Sequence, residues 1–541
     1  MIEKYFKNEA IESNREYKFE GERLDVFLSD TIRSYNKEYT SQTSRAGDFL
    51  DVGFLLKDLK NTTLDFGGAT IVFHGRIAPF ILDNCENVTI KNLKVDYDRP
   101  FYTQAHVLDC KRGEITVKID DGFDYCVKDG YFYAKGDGWE KNLNKNDCLF
   151  WLFDRKGNHN YNIMLGLFGE EIFPNDNPPL PIEKISVEER KDALVLKGPF
   201  PPDWDYNSGD NSLIFTHEVR DKSTVTLVGC KNIKVENFIL IHGAAMGITG
   251  MRSENIYLDN YSMYRDYNGN GRLVTCNADG VHLFNCWGDF VLKNSYMDGL
   301  LDDTVNVHNN YLTVEKIKGN KLYLCSKGSG FTMDLHVFCE GQRLGLYKGR
   351  TQEKIGEYTV KKITTDRENK TFIYETDKAI EKAEKGDVVE NLSAQAKIVI
   401  ENCKFGNFRG TMRLQSREKT ILRNCEFLNE TTSLLFTGDT TYWYESSPVN
   451  DLTIENCIFR NTKYGARISW NCGIEFTEKA KYYHKCITVK NCYFDSGMVA
   501  VFDHVDGFRF INNRSDGEIK IKYTDSRNVE IGKTKIVKGK Q

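Results

Sequence analysis

The chain repeats a short pattern of alternating apolar and polar residues, and each repeat ends at an asparagine followed by one or two apolar residues. Alternation of this kind is typical of a β-strand with one buried face. The asparagines recur at similar but unequal intervals within two blocks of the chain, and the interval from Asn237 to Asn260 is among the shortest. Recurrence with loops of variable length indicates a solenoid of stacked coils. The asparagines are Asn92, Asn237, Asn260, Asn294, Asn402, Asn424, Asn456, Asn491 and Asn512.

These repeats predict an all-β chain folded as a parallel β-helix. Each short strand pairs with the equivalent strand of the next coil, at a rise of about 4.8 Å. We expect the asparagines to point inward at one corner and to bond to one another between coils, as amide ladders do. A cysteine follows the asparagine at positions 403, 425, 457 and 492. These thiols are expected to form a second inward stack.

Two stretches without the repeat interrupt the solenoid, and the chain also begins without it. Residues 105–213 and 310–390 alternate short strands with glycine turns, and each is long enough for a small inserted β-barrel or sandwich. The β-helix would then comprise residues 61–104, 214–309 and 391–535. Residues 1–60 would form an N-terminal cap, in which LDVFLSDTIRSY predicts a short amphipathic helix.

Charge and composition exclude several classes of protein. Lys plus Arg is 73 and Asp plus Glu is 78 among 541 residues, so the formal charge is −5 and a nucleic-acid partner is not expected. No apolar run reaches the roughly 18 residues of a membrane span. The cysteine count of 15 is odd and no export signal is visible, so we expect reduced thiols and a cytoplasmic protein, or a secreted one if a leader precedes this sequence. No metal or cofactor motif is present, so neither is expected.

The candidate chemistry lies in NADGVHLFNCWGDFVLKNSYMDGLLDDTVNVH. Asp302 and Asp303 follow Asp279 at about the interval that separates Asn237 from Asn260, which we take as one coil. Three acids on one face of adjacent coils repel one another, so at least one should hold its proton near neutral pH. A glycoside hydrolase needs such a proton donor beside an ionised base. Solvated turn acids are the alternative interpretation, since Asp is common in turns.

Further polar residues could bind a sugar from the same face. Arginine and aspartate clamp sugar hydroxyls through paired hydrogen bonds, although a surface ion pair or an ordinary strand histidine explains each residue as well. Trp287 and Trp443 could stack on a sugar ring or belong to the core. The candidate substrate-binding residues are His74, Arg76, Asp96, Arg99, His242, His282, His308 and Arg413.

The sequence resembles glycoside hydrolase family 110, the α-1,3-galactosidases. The resemblance rests on LDFGGATIVFHGRIAPFILDNCENVTIKNLKVDYDRPFYTQA, on NADGVHLFNC and on LLDDTVNVHNN. It implies a right-handed parallel β-helix with two small β-barrel insertions, a bacterial source, and metal-free removal of terminal α-1,3-linked galactose with inversion. It also implies Asp279, Asp302 and Asp303 as the catalytic acids. We expect Asp279 to donate the proton, with Asp302 and Asp303 holding the water.

Two other functions remain open at this point. Polygalacturonases of glycoside hydrolase family 28 also use an Asn-x-Asp and an Asp-Asp pair on adjacent coils, but their Gly-His-Gly and Arg-x-Lys segments have no clear match here. A non-catalytic β-helix would use the same acids only to bind carbohydrate. The expected partner is a galactose-terminated oligosaccharide, and a homo-oligomer is possible.

Overall fold

Parallel strands stacked coil on coil make up most of the protein. The computed structural model describes residues 11–35, 49–111, 113–144, 150–154, 159–165, 185–198, 211–217, 220, 222–327, 337–406, 410–428, 432–440, 443–460, 464–468, 482–495 and 499–536. Within these ranges the only helix is a 3-10 turn at Leu28–Asp30. No helix there is long and apolar enough to cross a membrane. The chain is therefore an all-β solenoid, as the repeats predicted.

Two long sheets form the walls of the solenoid. Sheet I contains Glu16–Lys18, Arg23–Phe27, Lys60–His74, Glu86–Tyr97, Lys231–Leu240, Glu254–Met263, Trp287–Lys293, Tyr296–Met297, Ala396–Glu401, Lys404–Phe405, Lys419–Arg423, Glu426–Leu428, Asp451–Glu455, Ile458–Arg460, His484–Lys490, Tyr493–Phe494, Val505–Ile511, Arg514–Ser515, Arg527–Ile531 and Lys535–Ile536. Sheet II contains Ile32–Tyr35, Phe49–Lys57, Ile77–Asp83, Val225–Val228, Ile248–Met251, Val281–Phe284, Val305–Asn310, Met412–Leu414, Thr432–Phe436, Glu445–Ser446, Tyr464–Ile468, Val499–Asp503 and Lys520–Thr524.

Identical side chains stack along the interior because equivalent positions repeat in successive coils. Phe427 lies 5.1 Å from Phe405 and 4.9 Å from Phe459, measured between ring centroids. Cys403, Cys425, Cys457 and Cys492 are buried free thiols, and Cys457 interacts with the cysteines on both sides of it. The predicted inward stack of thiols is confirmed.

The asparagine ladder exists, but its position differs from the prediction. Nδ2 of Asn237 donates to Oδ1 of Asn92 over 2.9 Å, and Asn260 donates to Asn237 over 3.0 Å. These residues have φ between 50° and 59°, in the left-handed region, so the chain turns its corner at each of them. Asn237 and Asn260 are exposed. The expectation that they point inward was wrong, because the left-handed turn directs their side chains to the outside of the corner.

The segment Arg23–Phe27 is a strand where a helix was predicted. Leu24 and Val26 are buried while their neighbours are more exposed, so the segment alternates with a period of two. The strand Arg23–Phe27 pairs in parallel with Lys60–His74. The predicted helix over LDVFLSDTIRSY is wrong, and part of the expected cap at 1–60 forms strands of the solenoid itself.

Two inserted units project from the solenoid. The first contains a sheet of Tyr102–Lys111, Glu114–Ile119, Phe150–Asp154, His159–Leu165, Ser186–Arg190, Ala193–Lys197 and Asn211–Thr216, and a smaller one of Tyr125–Lys128, Tyr131–Gly136 and Trp139–Asn142. The second is a closed barrel of Leu312–Lys318, Lys321–Cys325, Arg343–Tyr347, Lys354–Asp366, Thr371–Thr376 and Val388–Asn391. Each unit has a hydrophobic core of its own.

Candidate active site

Asp279, Asp302 and Asp303 lie just before two neighbouring strands of sheet II. These strands pair in parallel, with Val281 opposite Val305. The backbone N–H of Gly280 donates to the carbonyl of Asp303 over 2.9 Å, so the ladder of hydrogen bonds continues beyond the strands to the acids. Asp303 is therefore opposite Asp279 on the next coil, and Asp302 comes one residue earlier. The fold brings the predicted acids together.

The register of these acids is shifted by one position from the expectation. A coil as long as the interval from Asn237 to Asn260 would have placed Asp302 directly above Asp279, with Asp303 on the diagonal. The observed pairing of Val281 with Val305 makes this coil one position longer than that interval. The diagonal pair is therefore Asp279 and Asp302.

Two glycines let the backbone pass close to the acids. A Cβ on Gly280 would lie 2.6 Å from the carbonyl oxygen of Thr304 on the next coil. A Cβ on Gly410 would lie 2.5 Å from the backbone nitrogen of Asp303. Any larger residue at either position would push neighbouring coils apart at the acids.

Two arginines balance the carboxyl groups. Arg220 forms a short ion pair with Oδ2 of Asp302, and Nε of Arg413 lies 3.1 Å from Oδ2 of Asp303. The guanidinium of Arg220 also lies 5.6 Å from the ring centroid of Trp443. Burial alone would lower the pKa of each arginine, but the surrounding carboxylates raise it, so both side chains remain cations.

Burial separates the protonation states of the carboxyl groups. Asp279 is 2% exposed, and burial together with the charge of Asp302 raises its pKa to about 8, against the opposing charge of Arg220. Burial also raises the pKa of Asp303, to about 7, with Arg413 opposing it. The ion pair with Arg220 favours the charged form of Asp302. A buried neutral acid therefore lies beside an ionised carboxylate.

The predicted residues His282, His308 and Arg413 belong to this cluster. Nδ1 of His282 lies 2.9 Å from Oδ2 of Asp279, and Nε2 of His282 lies 2.9 Å from Nε2 of His308. Burial lowers the pKa of both histidines, to about 4 for His282. Both rings are thus neutral near pH 7.

Several buried polar atoms around the acids have no hydrogen-bond partner among the described residues. Buried polar groups in proteins are normally paired, so a concentration of unpaired atoms is typical of a ligand site. A sugar, with a hydroxyl on most carbons, supplies donors and acceptors for such atoms. The unpaired atoms are Nε of Arg220, Oδ1 of Asn277, Oδ1 of Asp279 and Oδ1 of Asn306.

The sugar clamp predicted from Asp96 and Arg99 is not what the structure shows. The carboxylate of Asp96 accepts hydrogen bonds from Arg272 at 2.8 and 3.0 Å. Arg99 donates to the carbonyls of Tyr102 at 2.7 Å and Lys135 at 3.0 Å, among others. Its donors are occupied in attaching the first inserted unit to the solenoid, so they are not available to a substrate.

His74, Arg76 and His242 also lie in contacts outside the acid cluster. Nε2 of His74 lies 2.6 Å from Oδ1 of Asp25, and the guanidinium of Arg76 lies 5.5 Å from the ring centroid of Phe101. His242 is fully buried, and its Nε2 accepts the backbone N–H of Phe101 over 3.0 Å. The placement of these three residues gives no support to their predicted sugar contacts.

Sequence reasoning missed Arg220 and Glu445. Glu445 is 7% exposed, and its Oε1 lies 3.6 Å from Nε2 of His308. Neither residue belongs to a recognised motif or to an asparagine-marked repeat. Asn306 was also missed, although the register that places it between His282 and Arg413 could have identified it.

One group of side chains with ligand atoms close enough for a metal ion occurs in the described residues. It consists of Asp503, His504 and Asp525, whose atoms lie within 4.8 Å of one another near the C-terminal end. Asp503 already accepts a hydrogen bond from the hydroxyl of Thr524, outside the group, over 2.8 Å. This group does not include the acids.

The chain is similar in sequence to a protein family and to named bacterial enzymes. The family described as "Right handed beta helix region" matches residues 372–537. Alpha-1,3-galactosidase A of Shewanella woodyi is 28% identical over 473 residues, which are 86% of this chain and 74% of that protein. Alpha-1,3-galactosidase B of Bacteroides thetaiotaomicron is 26% identical over 421 residues, 75% of this chain and 64% of that protein. Among solved structures, an exopolygalacturonase from Thermotoga maritima matches 98% of this chain and 95% of its own, at 12% identity and a TM-score of 0.33.

Proposed function

We propose that this chain, a glycoside hydrolase with a right-handed parallel β-helix and a homologue of the α-1,3-galactosidases, removes terminal α-1,3-linked galactose from glycans with inversion. The observation that supports this most is the cluster of Asp279, Asp302 and Asp303 on adjacent coils. It combines a protonated acid, an ionised acid and unpaired buried polar atoms in one place. The linkage is taken from the names of the relatives, and the exo action and inversion from the resemblance of the sequence motifs to glycoside hydrolase family 110.

In this proposal Asp279 is the general acid. Its O–H gives a proton to the glycosidic oxygen as the bond from that oxygen to C1 of galactose breaks. Water attacks C1 from the opposite face, held by Asp302 and Asp303, and one of these carboxylates takes the proton of the water. Arg220 keeps Asp302 charged for this role, and Arg413 opposes the protonation of Asp303. The product leaves as β-galactose because the attack inverts C1.

A polygalacturonase-like activity has less support at this site. A uronate substrate needs cations for its carboxylate, and the arginines beside the acids already pair with Asp302 and Asp303. Neutral galactose makes no such demand. A site that only bound carbohydrate would not need one carboxyl kept neutral beside another kept charged.

Hydrolysis of α-1,3-galactobiose followed by proton NMR tests substrate, reaction and stereochemistry together. We expect β-galactose to appear first and the α-anomer only later by mutarotation. Initial α-galactose would refute inversion, and no release from this disaccharide would refute the linkage. An aryl α-galactoside and polygalacturonate, assayed in parallel, distinguish an altered linkage from a different sugar.

Single Asp→Asn variants at 279, 302 and 303 test the roles. Each should lower kcat by at least about a hundredfold with the fold retained. Loss of the general acid hurts poor leaving groups most, so Asp279→Asn should keep more of its activity on a dinitrophenyl α-galactoside than on the disaccharide. If Asp302→Asn shows this leaving-group pattern instead, the acid and base are exchanged. Near-normal turnover by all three variants would favour a binding module.

A further inference from the structure

A chain of close polar contacts runs from Asp279 into the protein. Its links are Oδ2 of Asp279 to Nδ1 of His282 at 2.9 Å, and Nε2 of His282 to Nε2 of His308 at 2.9 Å. Nδ1 of His308 then lies 2.8 Å from the backbone carbonyl of Asn309. His282 is 2% exposed and His308 is 1% exposed, so this chain lies behind the acid.

The contact of His308 with the Asn309 carbonyl fixes which ring nitrogen carries the hydrogen in both histidines. A carbonyl oxygen only accepts, so Nδ1 of His308 must carry a hydrogen. In a neutral ring its Nε2 then has a lone pair, and Nε2 of His282 must donate to it. That leaves the lone pair of His282 on Nδ1, the atom that faces Asp279. Among the described residues Nδ1 of His282 meets hydrogen-bond geometry with no partner, so its link to Oδ2 of Asp279 is a close approach of 2.9 Å.

A lone pair on Nδ1 of His282 favours one protonation state of Asp279. A protonated Oδ2 can donate to this nitrogen, whereas an ionised carboxylate would place two acceptors 2.9 Å apart. The directions of the pKa shifts agree, because burial raises the pKa of Asp279 and lowers the pKa of both histidines.

Other charged groups also face this chain of contacts. Glu445 lies 3.6 Å from Nε2 of His308 and favours its charged form, but burial outweighs this effect. The charges that act on Asp279 and His282 are, in addition to Glu445, those of Arg220, Arg413, Asp302 and Asp303. All of them would remain in a variant that changes only His308.

We propose that His282 and His308 are positioning residues, in which the hydrogen bond of His308 to the Asn309 carbonyl fixes the tautomer of His282 and so keeps Asp279 protonated. The inference deepens the proposed function and rests on it for the catalytic role of Asp279. It replaces the sugar contacts expected for these two histidines from the sequence.

Two variants of His308 separate this role from simple packing. His308→Phe removes the acceptor for Nε2–H of His282, so His282 can turn Nδ1–H toward an ionised Asp279. The basic limb of the kcat/KM profile should then move down by about one pH unit, which is a roughly tenfold loss of rate above that limb. His308→Gln can still accept through Oε1, so its limb should stay near the wild-type pH. In His308→Phe, activity on a dinitrophenyl α-galactoside should fall less than activity on α-1,3-galactobiose.

His484→Phe is the matched control, since His484 is equally buried and accepts a backbone N–H from Val449 in another coil. It should leave the basic limb unchanged. If both His308 variants lose activity equally and keep the wild-type limb, the proposal is wrong and His308 only supports packing.

Neutron diffraction from deuterated crystals of the whole chain gives a readout without activity. We expect deuterium on Nδ1 of His308, on Nε2 of His282 and on Oδ2 of Asp279. Deuterium on Nδ1 of His282 would refute the proposal. If the enzyme fails to hydrolyse α-galactosides, the proposed function fails, while the neutron result still decides the direction of these hydrogen bonds.

Discussion

At the scale of single residues, the acid cluster combines a requirement of catalysis with a cost in stability. A proton donor for pH 7 needs a carboxyl with a raised pKa, and burial of Asp279 provides it. The same burial makes the ionised form unfavourable in the folded state. Because the folded pKa is about 8 and the ordinary value is 3.8, the folded chain binds this proton more tightly than the unfolded chain. The stabilisation is fully present below about pH 4 and is lost as the pH rises toward 8.

Asp279→Asn should therefore stabilise the protein while it lowers kcat. The amide cannot ionise, so the melting temperature at pH 8 should exceed that of the wild type by at least about 2 °C. The difference should disappear near pH 4, where the wild-type carboxyl is protonated as well. Thermal melts at both pH values measure this difference. Asp302→Asn provides the contrast: it leaves buried Arg220 without its ion pair, so its melting temperature should fall below that of the wild type. A lower melting temperature for Asp279→Asn at pH 8 would contradict the raised pKa.

Arg413→Gln tests the electrostatic role of the second arginine. Arg413 opposes the effect of burial on Asp303, so its removal raises the pKa of Asp303 above its present value of about 7. The acidic limb of the kcat/KM profile should move up by about one pH unit, since Asp303 must be ionised to hold the water. Arg423→Gln, which removes a partly buried ion pair with Glu401 away from the acids, is the control and should not move the limb. A loss of rate with no shift would mean that Arg413 acts through the sugar.

The residues that sequence reasoning could find are those whose position follows from the repeat. Asp279, Asp302 and Asp303 were identified because one coil separates them, and Arg413 because it lies beside a marked strand. Arg220 and Glu445 were missed because they come from segments between the marked repeats, where periodicity says nothing of the path. The roles expected for Asp96 and Arg99 were wrong because a polar side chain that binds another part of the protein looks the same in sequence as one that binds a ligand.

At the scale of elements, the corner asparagines set where each strand ends. Asn237 has a φ of 50°, and its amide links those of Asn92 and Asn260. Asparagine tolerates the left-handed region better than other residues with a side chain, which explains its recurrence at the corners. The periodicity predicted these strands and corners well. The N-terminal helix was mispredicted because a short apolar segment fits both periods, and only pairing with Lys60–His74 decides between them.

Asn237→Ala should destabilise the solenoid more than Asn237→Gly. Alanine loses the ladder bonds and pays about 1 kcal/mol for the left-handed backbone, whereas glycine loses the ladder bonds but adopts this φ freely. Thermal melts of the two variants measure the difference. Exposed Lys234, in the same strand, provides a control in Lys234→Ala, which should change the melting temperature little. Equal losses for alanine and glycine would assign the whole cost to the ladder and none to the turn.

At the scale of the whole molecule, the first inserted unit is connected to the acid cluster through its base. Arg99 donates hydrogen bonds to backbone carbonyls of that unit. Phe101 comes two residues after Arg99 in the chain, and its carbonyl accepts a hydrogen bond from the side-chain amide of Asn277 over 2.8 Å. Asn277 lies two residues before Asp279. The insert therefore supports the loop that carries the acid, which gives a mechanical reason for Arg99, a residue that the sequence suggested as a sugar contact.

Arg99→Met tests whether the insert supports the acid from a distance. Methionine fills much of the same space but donates no hydrogen bonds, so the base of the insert should loosen and limited proteolysis should cut the unit faster. We expect kcat/KM to fall by about tenfold through misplacement of Asp279, with both limbs of the pH profile unchanged because no charged group of the cluster is altered. Arg190→Met, on an exposed hairpin of the same unit, removes only a surface pair with Glu188 and should leave rate and proteolysis as they are. If Arg99→Met has wild-type kcat/KM but is cut faster by protease, the attachment of the insert does not affect catalysis. A shifted pH profile would mean that Arg99 acts on the acids through its charge.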